Sequence, residues 1–363
     1  MASFTVKSAR GLYPVVIGQK LTPRLKSLIK QSKADRVFVV LDANFYALHG
    51  ERFLKQLGKR VTPLVVASGE KNKTQRAVSA IHDFLLDNGV SRTDLLLACG
   101  GGVTTDLAGY AAATVLRGIR WGAVPTTLLG MVDASIGGKT GVNHRNGKNL
   151  IGAFWAPEFV CADIEYLATL EIRHMRAGFG EILKCAGLAG GALLRDSKKY
   201  LSDISAAAMP ITPLLERLIA QSAAFKGAIV SRDEREAGVR THMNLGHTVG
   251  HGIEQALKYR GLLHGEAVGL GLAATLELGE RCGFRTQRLK EYGALVDTYL
   301  RSLPRRKLQP ERILAAMSLD KKRQGRRMRF VLLRDVGKPI IEDSINPRMI
   351  RTAIDGMIER YRG

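Results

Sequence analysis

The stretch HTVGH sets His247 and His251 four residues apart. Four residues of helix turn through about 400°, so the two imidazoles fall about 40° apart on one face. Glu181, within FGEILK, and His264, ahead of Gly265-Glu266, add a carboxylate and a third imidazole from the same half of the chain. A catalytic zinc takes three nitrogen or oxygen ligands and keeps a fourth position for water or substrate. Any three of Glu181, His247, His251 and His264 meet that need, and spacing alone favours both histidines of HTVGH. Such donors suit zinc or cobalt. The HExxH protease pattern is absent, because Thr248 occupies the glutamate position.

Anion chemistry is suggested elsewhere. In CGGGVTTD, Cys99 to Asp106, a strand, a glycine turn and a helix start make a phosphate cradle, with backbone N–H groups pointing out of the helix N-terminus. The spacing is not Gly-x-Gly-x-x-Gly. Asp42, at the end of an earlier strand, is placed either to hold an adenosine ribose or to cap a turn. The glycine-rich stretch from Asp133 to Phe154 carries Lys139, Lys148 and Asn149, and compact ammonium groups there suit phosphate or carboxylate oxygens. It is not a Walker A motif.

The elements that position these residues change character along the chain. RVFVVLD, TPLVVA, DLLLACGGG, WGAVPTT and FVCADI read as strands, and a helix pattern from Thr74 to Asn88 closes at Gly89, which is the alternation of an α/β sheet. From about Arg173 long amphipathic segments take over, broken by a short strand near Phe330 to Leu333. At 363 residues the chain suits two domains.

Net charge is +22, from 55 Lys and Arg against 33 Asp and Glu. That excess fits nucleic acid, an acidic surface or a strongly anionic substrate. The densest block, KKRQGRRMR from Lys321 to Arg329, has no interleaved aromatics for base stacking, so nucleic acid is not the expected partner. Cys99, Cys161, Cys185 and Cys282 are scattered and form no Cys-x-x-Cys pair, as expected of a reducing cytoplasm. No leader-like or membrane-spanning run is found, so no membrane partner is expected.

Taken together, SGEKNK at Ser68, LRGIRWGAVPTTLLGMVDASIGGKTGVN, GKNLIGAF, DEREAGVRTHMNLGHTVGH, LHGEAV and DKKRQG at Asp320 resemble the 3-dehydroquinate synthase family of sugar-phosphate cyclases. The resemblance implies a Rossmann-like α/β NAD-binding domain, residues 1–172, and an all-α metal and substrate domain, residues 173–363. It implies zinc or cobalt on Glu181, His247 and His264, and it moves His251 to the substrate phosphate pocket with Lys139, Asn149 and Asn244. Arg117 would enter that pocket from a neighbouring subunit, hence a homodimer. Arg240 and Lys226 would face the substrate carboxylate and hydroxyls, Asp133, Lys148, Lys184 and Glu236 would line the pocket, and Lys321 or Lys322 would close over it. NAD would lie along Asp42, Glu70, Lys73, Gly101, Gly102, Val103, Asp106, Thr126, Thr127 and Thr169, reaching Asp133, Lys139 and Lys148.

The implied reaction turns 3-deoxy-D-arabino-heptulosonate 7-phosphate into 3-dehydroquinate and phosphate, in the shikimate pathway. Its steps are transient oxidation by NAD, β-elimination of phosphate, re-reduction and intramolecular aldol closure. Sister cyclases acting on sedoheptulose 7-phosphate or glucose 6-phosphate, and dehydrogenases of the glycerol dehydrogenase type, are the alternatives. The chain departs from the family pattern at Thr105, where glycine is usual, at Leu245 in NLGH for NFGH, and at His174, where glutamate is common.

Overall fold

The computed structural model describes residues 1–58, 60–202, 208–324 and 328–362, apart from the side chains of 319–324. The chain forms two compact units, one of Met1–Leu170 with Lys226–Arg235 and one of Glu171–Phe225 with Glu236–Gly363.

The first unit is built on a seven-stranded sheet. Its strands are β1 (Ala2–Ser8), β2 (Gly11–Gly18), β3 (Val37–Asp42), β4 (Val61–Val66), β5 (Leu95–Gly100), β6 (Arg120–Pro125) and, after a separate hairpin of β7 (Lys139–His144) and β8 (Gly147–Phe154), β9 (Val160–Asp163). The order is β1-β2-β9-β6-β5-β3-β4. All neighbours run parallel except the β1–β2 edge pair. Parallel strands are covered on both faces, which is why VFVVLD and LLLACG are continuous apolar runs. Val37, Val39, Leu41, Leu95, Leu97 and Cys99 pack on one face with Leu25, Leu28 and Phe53 from the helices Thr22–Gln31 and Glu51–Leu57. On the other, Phe38 meets Phe84 of the helix Gln75–Asp87 edge to face at 5.9 Å.

The order reverses between β3 and β5, so the carboxyl ends of these strands, Asp42 and Gly100, flank the switch point where α/β sheets bind ligands. The residues Lys226–Arg235 join this unit through the β1 edge. Ser231 Oγ accepts from Lys7 N at 2.9 Å, Glu234 Oε2 accepts from Ala9 N at 2.7 Å, and Gly227 lies against Phe4 and Val6.

The second unit is helical except for a hairpin of β10 (Phe330–Asp335) and β11 (Lys338–Glu342). At its centre the helix His264–Arg281 packs against the helices Ile172–Ala189, His247–Ala256, Gln287–Arg301 and Pro347–Arg362. It is buried on all sides from Gly265 to Thr275, and its Gly and Ala residues let neighbours approach closely. Three features add to the sequence reading. The amino terminus is a hairpin, the glycine-rich stretch after Asp133 contains β7 and β8, and the short strand at Phe330 has a partner in β11. Among the described residues no helix is long and apolar enough to cross a membrane.

Candidate functional site

In the second unit Glu181, His247 and His264 converge. Glu181 is fully buried on the helix Ile172–Ala189, and its Oε1 lies 3.7 Å from His247 Nε2 and 3.5 Å from His264 Nε2. Ligand atoms about 2.0–2.2 Å from a tetrahedral ion sit roughly 3.3–3.6 Å from one another, so this spacing fits a metal ion. Two further contacts direct the rings. His247 Nδ1 is 3.2 Å from the Leu245 carbonyl, and His264 Nδ1 is 3.0 Å from Glu254 Oε2. Each acceptor holds a proton on Nδ1, so that Nε2 is the atom turned toward Glu181 and, once the ring is neutral, the one with a lone pair for a metal. Glu181 Oε2 is taken by Lys184. His251 belongs to the same cluster, since a ligand atom from each of His247, His251 and His264 lies within 4.8 Å of the others. Its ring is exposed.

The imidazoles of His247 and His264 are tuned in opposite directions. Burial, and after it Lys184, lowers His247 to about 3, so it is neutral at any working pH. Burial works against charging His264 too, but the Glu254 and Glu181 carboxylates outweigh it and push this ring up to about 10. In the metal-free protein His264 therefore carries a proton at neutral pH that an incoming ion must displace. Metal uptake is expected to release about one proton per ion between about pH 7 and 9, with affinity rising roughly tenfold per unit. Calorimetry in buffers of different ionisation enthalpy checks this, and a pH-independent affinity contradicts it.

Backbone contact fixes the distance between Glu181 and His264. A Cβ on Gly265, next to His264, would lie 1.7 Å from the Ala177 carbonyl oxygen, and one on Gly180, next to Glu181, 2.1 Å from Gly265 O. Tyr299 Oη clamps the contact by donating to Arg176 O and Gly265 O at 2.9 and 3.2 Å. Gly246, the cap before His247, has φ +78°, where only glycine is unstrained.

In the first unit the cradle is present. The helix Gly102–Thr114 starts at Gly101 with no side-chain cap and no acid in its first turn, so the amides around Gly102 and Val103 remain as anion donors. A Cβ on Gly101 would meet Thr127 Cγ2 at 3.0 Å, and the wall behind it is set by Thr126 N donating to Gly100 O at 2.9 Å. This cradle fits the pyrophosphate of a dinucleotide. Asp42 caps the turn after β3 through Asn44 N and Phe45 N, and also accepts from Ser68 Oγ at 2.7 Å. Thr105 is buried and turns its hydroxyl back onto Gly102 O at 3.1 Å. Thr169 pairs with His49 at 2.7 Å.

The cations cluster nearby within this unit. Lys73 pairs with Asp106 and lies 2.5 Å from Asn149 Oδ1, while Asn143 ties Glu70 to the Asn149 amide. Burial holds the Asp106 carboxyl above its ordinary value despite Lys73. Lys148 is 3.6 Å from Glu70, and Lys226 lies 2.9 Å from Asp133 Oδ1 and donates to its carbonyl at 2.6 Å. Lys139, at the start of β7, and Arg117 are exposed.

In the second unit Asn244 donates to Glu236 at 2.5 Å and Arg240 is buried. His174 is exposed. The side chains of Lys321 and Lys322 lie outside the described residues. Arg117, Asn149 and Glu236 have φ of 63°, 54° and 60°. Sequence reasoning missed Glu254 and His49. Glu254 had a readable signal, since seven residues bring it back within about 20° of His247 on the helix face.

An α/β unit with a cradle suited to a dinucleotide and a helical unit with a histidine-carboxylate group suited to a metal ion fit an NAD- and metal-dependent class of enzyme. Residues 63–177 match the model for the 3-dehydroquinate synthase N-terminal region, and residues 178–323 match the C-terminal one. The chain belongs to the 3-dehydroquinate synthase family. It is 37% identical over 358 residues to the 3-dehydroquinate synthase of Pseudomonas entomophila (strain L48), covering 98% of this chain and 97% of the relative. The corresponding enzyme of Nitrosospira multiformis is 38% identical over 351 residues, covering 94% and 93%. Among solved structures, 2-deoxy-scyllo-inosose synthase complexed with carbaglucose-6-phosphate, NAD+ and Co2+ superposes with a TM-score of 0.86 at 25% identity, covering 97% and 99%. The 2-epi-5-epi-valiolone synthase of Streptomyces hygroscopicus subsp. jinggangensis 5008, with NAD+ and Zn2+, gives 0.84 at 28%, covering 96% and 97%.

Proposed function

We infer that this chain catalyses the 3-dehydroquinate synthase reaction, converting 3-deoxy-D-arabino-heptulosonate 7-phosphate to 3-dehydroquinate and phosphate in the shikimate pathway. The observation that carries the reading is the buried Glu181 carboxylate facing two imidazole Nε2 atoms, in a chain that matches its relatives over nearly all its length. When bound, NAD supplies a hydride acceptor and donor, and zinc or cobalt on Glu181, His247 and His264 a Lewis acid for the sugar hydroxyls. The chain's own groups bind, orient and neutralise. A substrate with a carboxylate and a phosphate brings roughly three negative charges, which preorganised cations stabilise strongly where water is scarce.

Arg240 and Lys226 are assigned to the carboxylate and hydroxyls, and Lys139, Asn149, Asn244 and His251 to the phosphate. Arg117 makes no ion pair among the described residues and is assigned to the pocket of a second copy in a homodimer. A sister cyclase is the second reading, favoured by the two high TM-scores, but those neighbours are 25–28% identical whereas the 3-dehydroquinate synthases reach 37–38%. Arg240→Ala is expected to lower kcat/KM about 10²-fold, about 3 kcal/mol, because the substrate carboxylate loses a buried charge partner.

The purified protein given the heptulosonate phosphate is expected to release phosphate and form dehydroquinate with no net NADH, to lose activity on chelation and to regain it with Zn2+ or Co2+. Phosphate release indifferent to chelation overturns the metal assignment, and accumulation of NADH overturns the cyclase reading.

A further inference from the structure

We propose that Glu254 is a positioning residue for the metal centre, fixing the tautomer and direction of His264 and raising its strength as a ligand. The proposal rests on the reading of Glu181, His247 and His264 as metal ligands. His264 opens its helix, so no preceding turn of that helix supports its ring, and 32% of its side chain is exposed. An imidazole so placed needs an anchor to keep Nε2 on the metal side. Glu254 supplies it, being 3% exposed with Oε2 3.0 Å from His264 Nδ1.

The chain is bent to make this contact. After the helix His247–Ala256, Lys258, Tyr259 and Gly261 take φ of 52°, 57° and 94°, and Tyr259 N donates back to Glu254 O at 2.7 Å. The turn brings the chain round so that His264 meets the helix that also carries His247. The two ligands are thereby oriented unequally. His247 has a neutral carbonyl behind it and His264 a carboxylate, and a carboxylate makes the imidazole the stronger donor.

Zn2+ affinity of the full-length protein, measured by competition with a chromophoric chelator, and the visible spectrum of the Co2+ form test the proposal. Glu254→Gln keeps an acceptor and removes the charge, whereas Glu254→Ala removes both. The expected losses in affinity are about 10-fold and up to about 100-fold, with a changed Co2+ spectrum in each. A role in packing alone lowers the melting temperature of the metal-free protein and leaves affinity and spectrum unmoved. Folded Glu254→Gln protein that binds Zn2+ within about twofold of the parent, with the parental Co2+ spectrum, overturns the proposal. If Glu254→Ala does not fold, the glutamine variant decides alone. A parent protein that fails to bind Zn2+ tightly overturns the underlying metal reading instead.

Discussion

His247→Ala is expected to remove zinc and activity together, whereas His251→Ala removes activity and leaves zinc in place. His247 Nε2 lies 3.7 Å from Glu181 Oε1, and its loss leaves two ligands where three are needed. Zinc affinity should fall by more than about 100-fold, beyond the loss of an outer partner, and turnover by about 10³-fold, the several kcal/mol a Lewis acid supplies. His251 stands one turn further on, its ring exposed and 5.4 Å from that of His247. Its assignment is a donor to the phosphate, so turnover should fall about 10²-fold, the scale of one lost oxyanion donor, with zinc affinity kept within about tenfold. Zinc content after dialysis against a chelator, with turnover measured in parallel, separates the two. Equal loss of zinc from both variants contradicts the assignment and makes the three imidazoles the site.

Gly265→Ala is expected to unseat the metal centre without touching a ligand. The added carbon would lie 1.7 Å from Ala177 O and 2.6 Å from its carbonyl carbon. Both are backbone atoms of the helix that carries Glu181, so no side chain can rotate away. Relief requires the helices Ile172–Ala189 and His264–Arg281 to part by roughly 1.5 Å, against the Tyr299 clamp, and overpacking of this kind costs about 3 kcal/mol. The melting temperature should fall by roughly 5–10 °C, and zinc affinity with it. Gly279→Ala on the same helix is the control, because its nearest neighbours would be 3.8 and 3.9 Å away. There the gain in helix propensity, up to about 1 kcal/mol, should leave stability unchanged or raised. Similar melting temperatures for the two variants contradict the account of how the ligands are spaced.

What was legible in the residues is what local pattern and chemistry determine. The buried parallel strands announce themselves as apolar runs, and Thr74 and Gly89 mark the ends of a helix found at Gln75–Asp87. β7 and β8 lie in a stretch that shows only as glycine-rich in sequence, because KTGVNH and GKNLIGAF alternate too weakly to betray a hairpin. Periodicity also says nothing of what a helix packs on, so the grouping of Lys226–Arg235 with the first unit was invisible. At the candidate metal cluster the donor types are readable, and the resemblance proposes Glu181, His247 and His264 from among them. Which ring nitrogen faces inward was not readable, since that depends on Leu245 O and Glu254, whose contacts arise only in the folded chain.

The central claim is a substrate choice, and side-by-side turnover tests it most directly. The purified protein, loaded with NAD and zinc or cobalt, is given 3-deoxy-D-arabino-heptulosonate 7-phosphate, sedoheptulose 7-phosphate and glucose 6-phosphate in parallel, with kcat/KM measured by phosphate release. The expected result is a preference of at least about 10²-fold for the heptulosonate, the substrate whose carboxylate Arg240 and Lys226 are assigned to meet. Equal or greater turnover of either of the other two contradicts it.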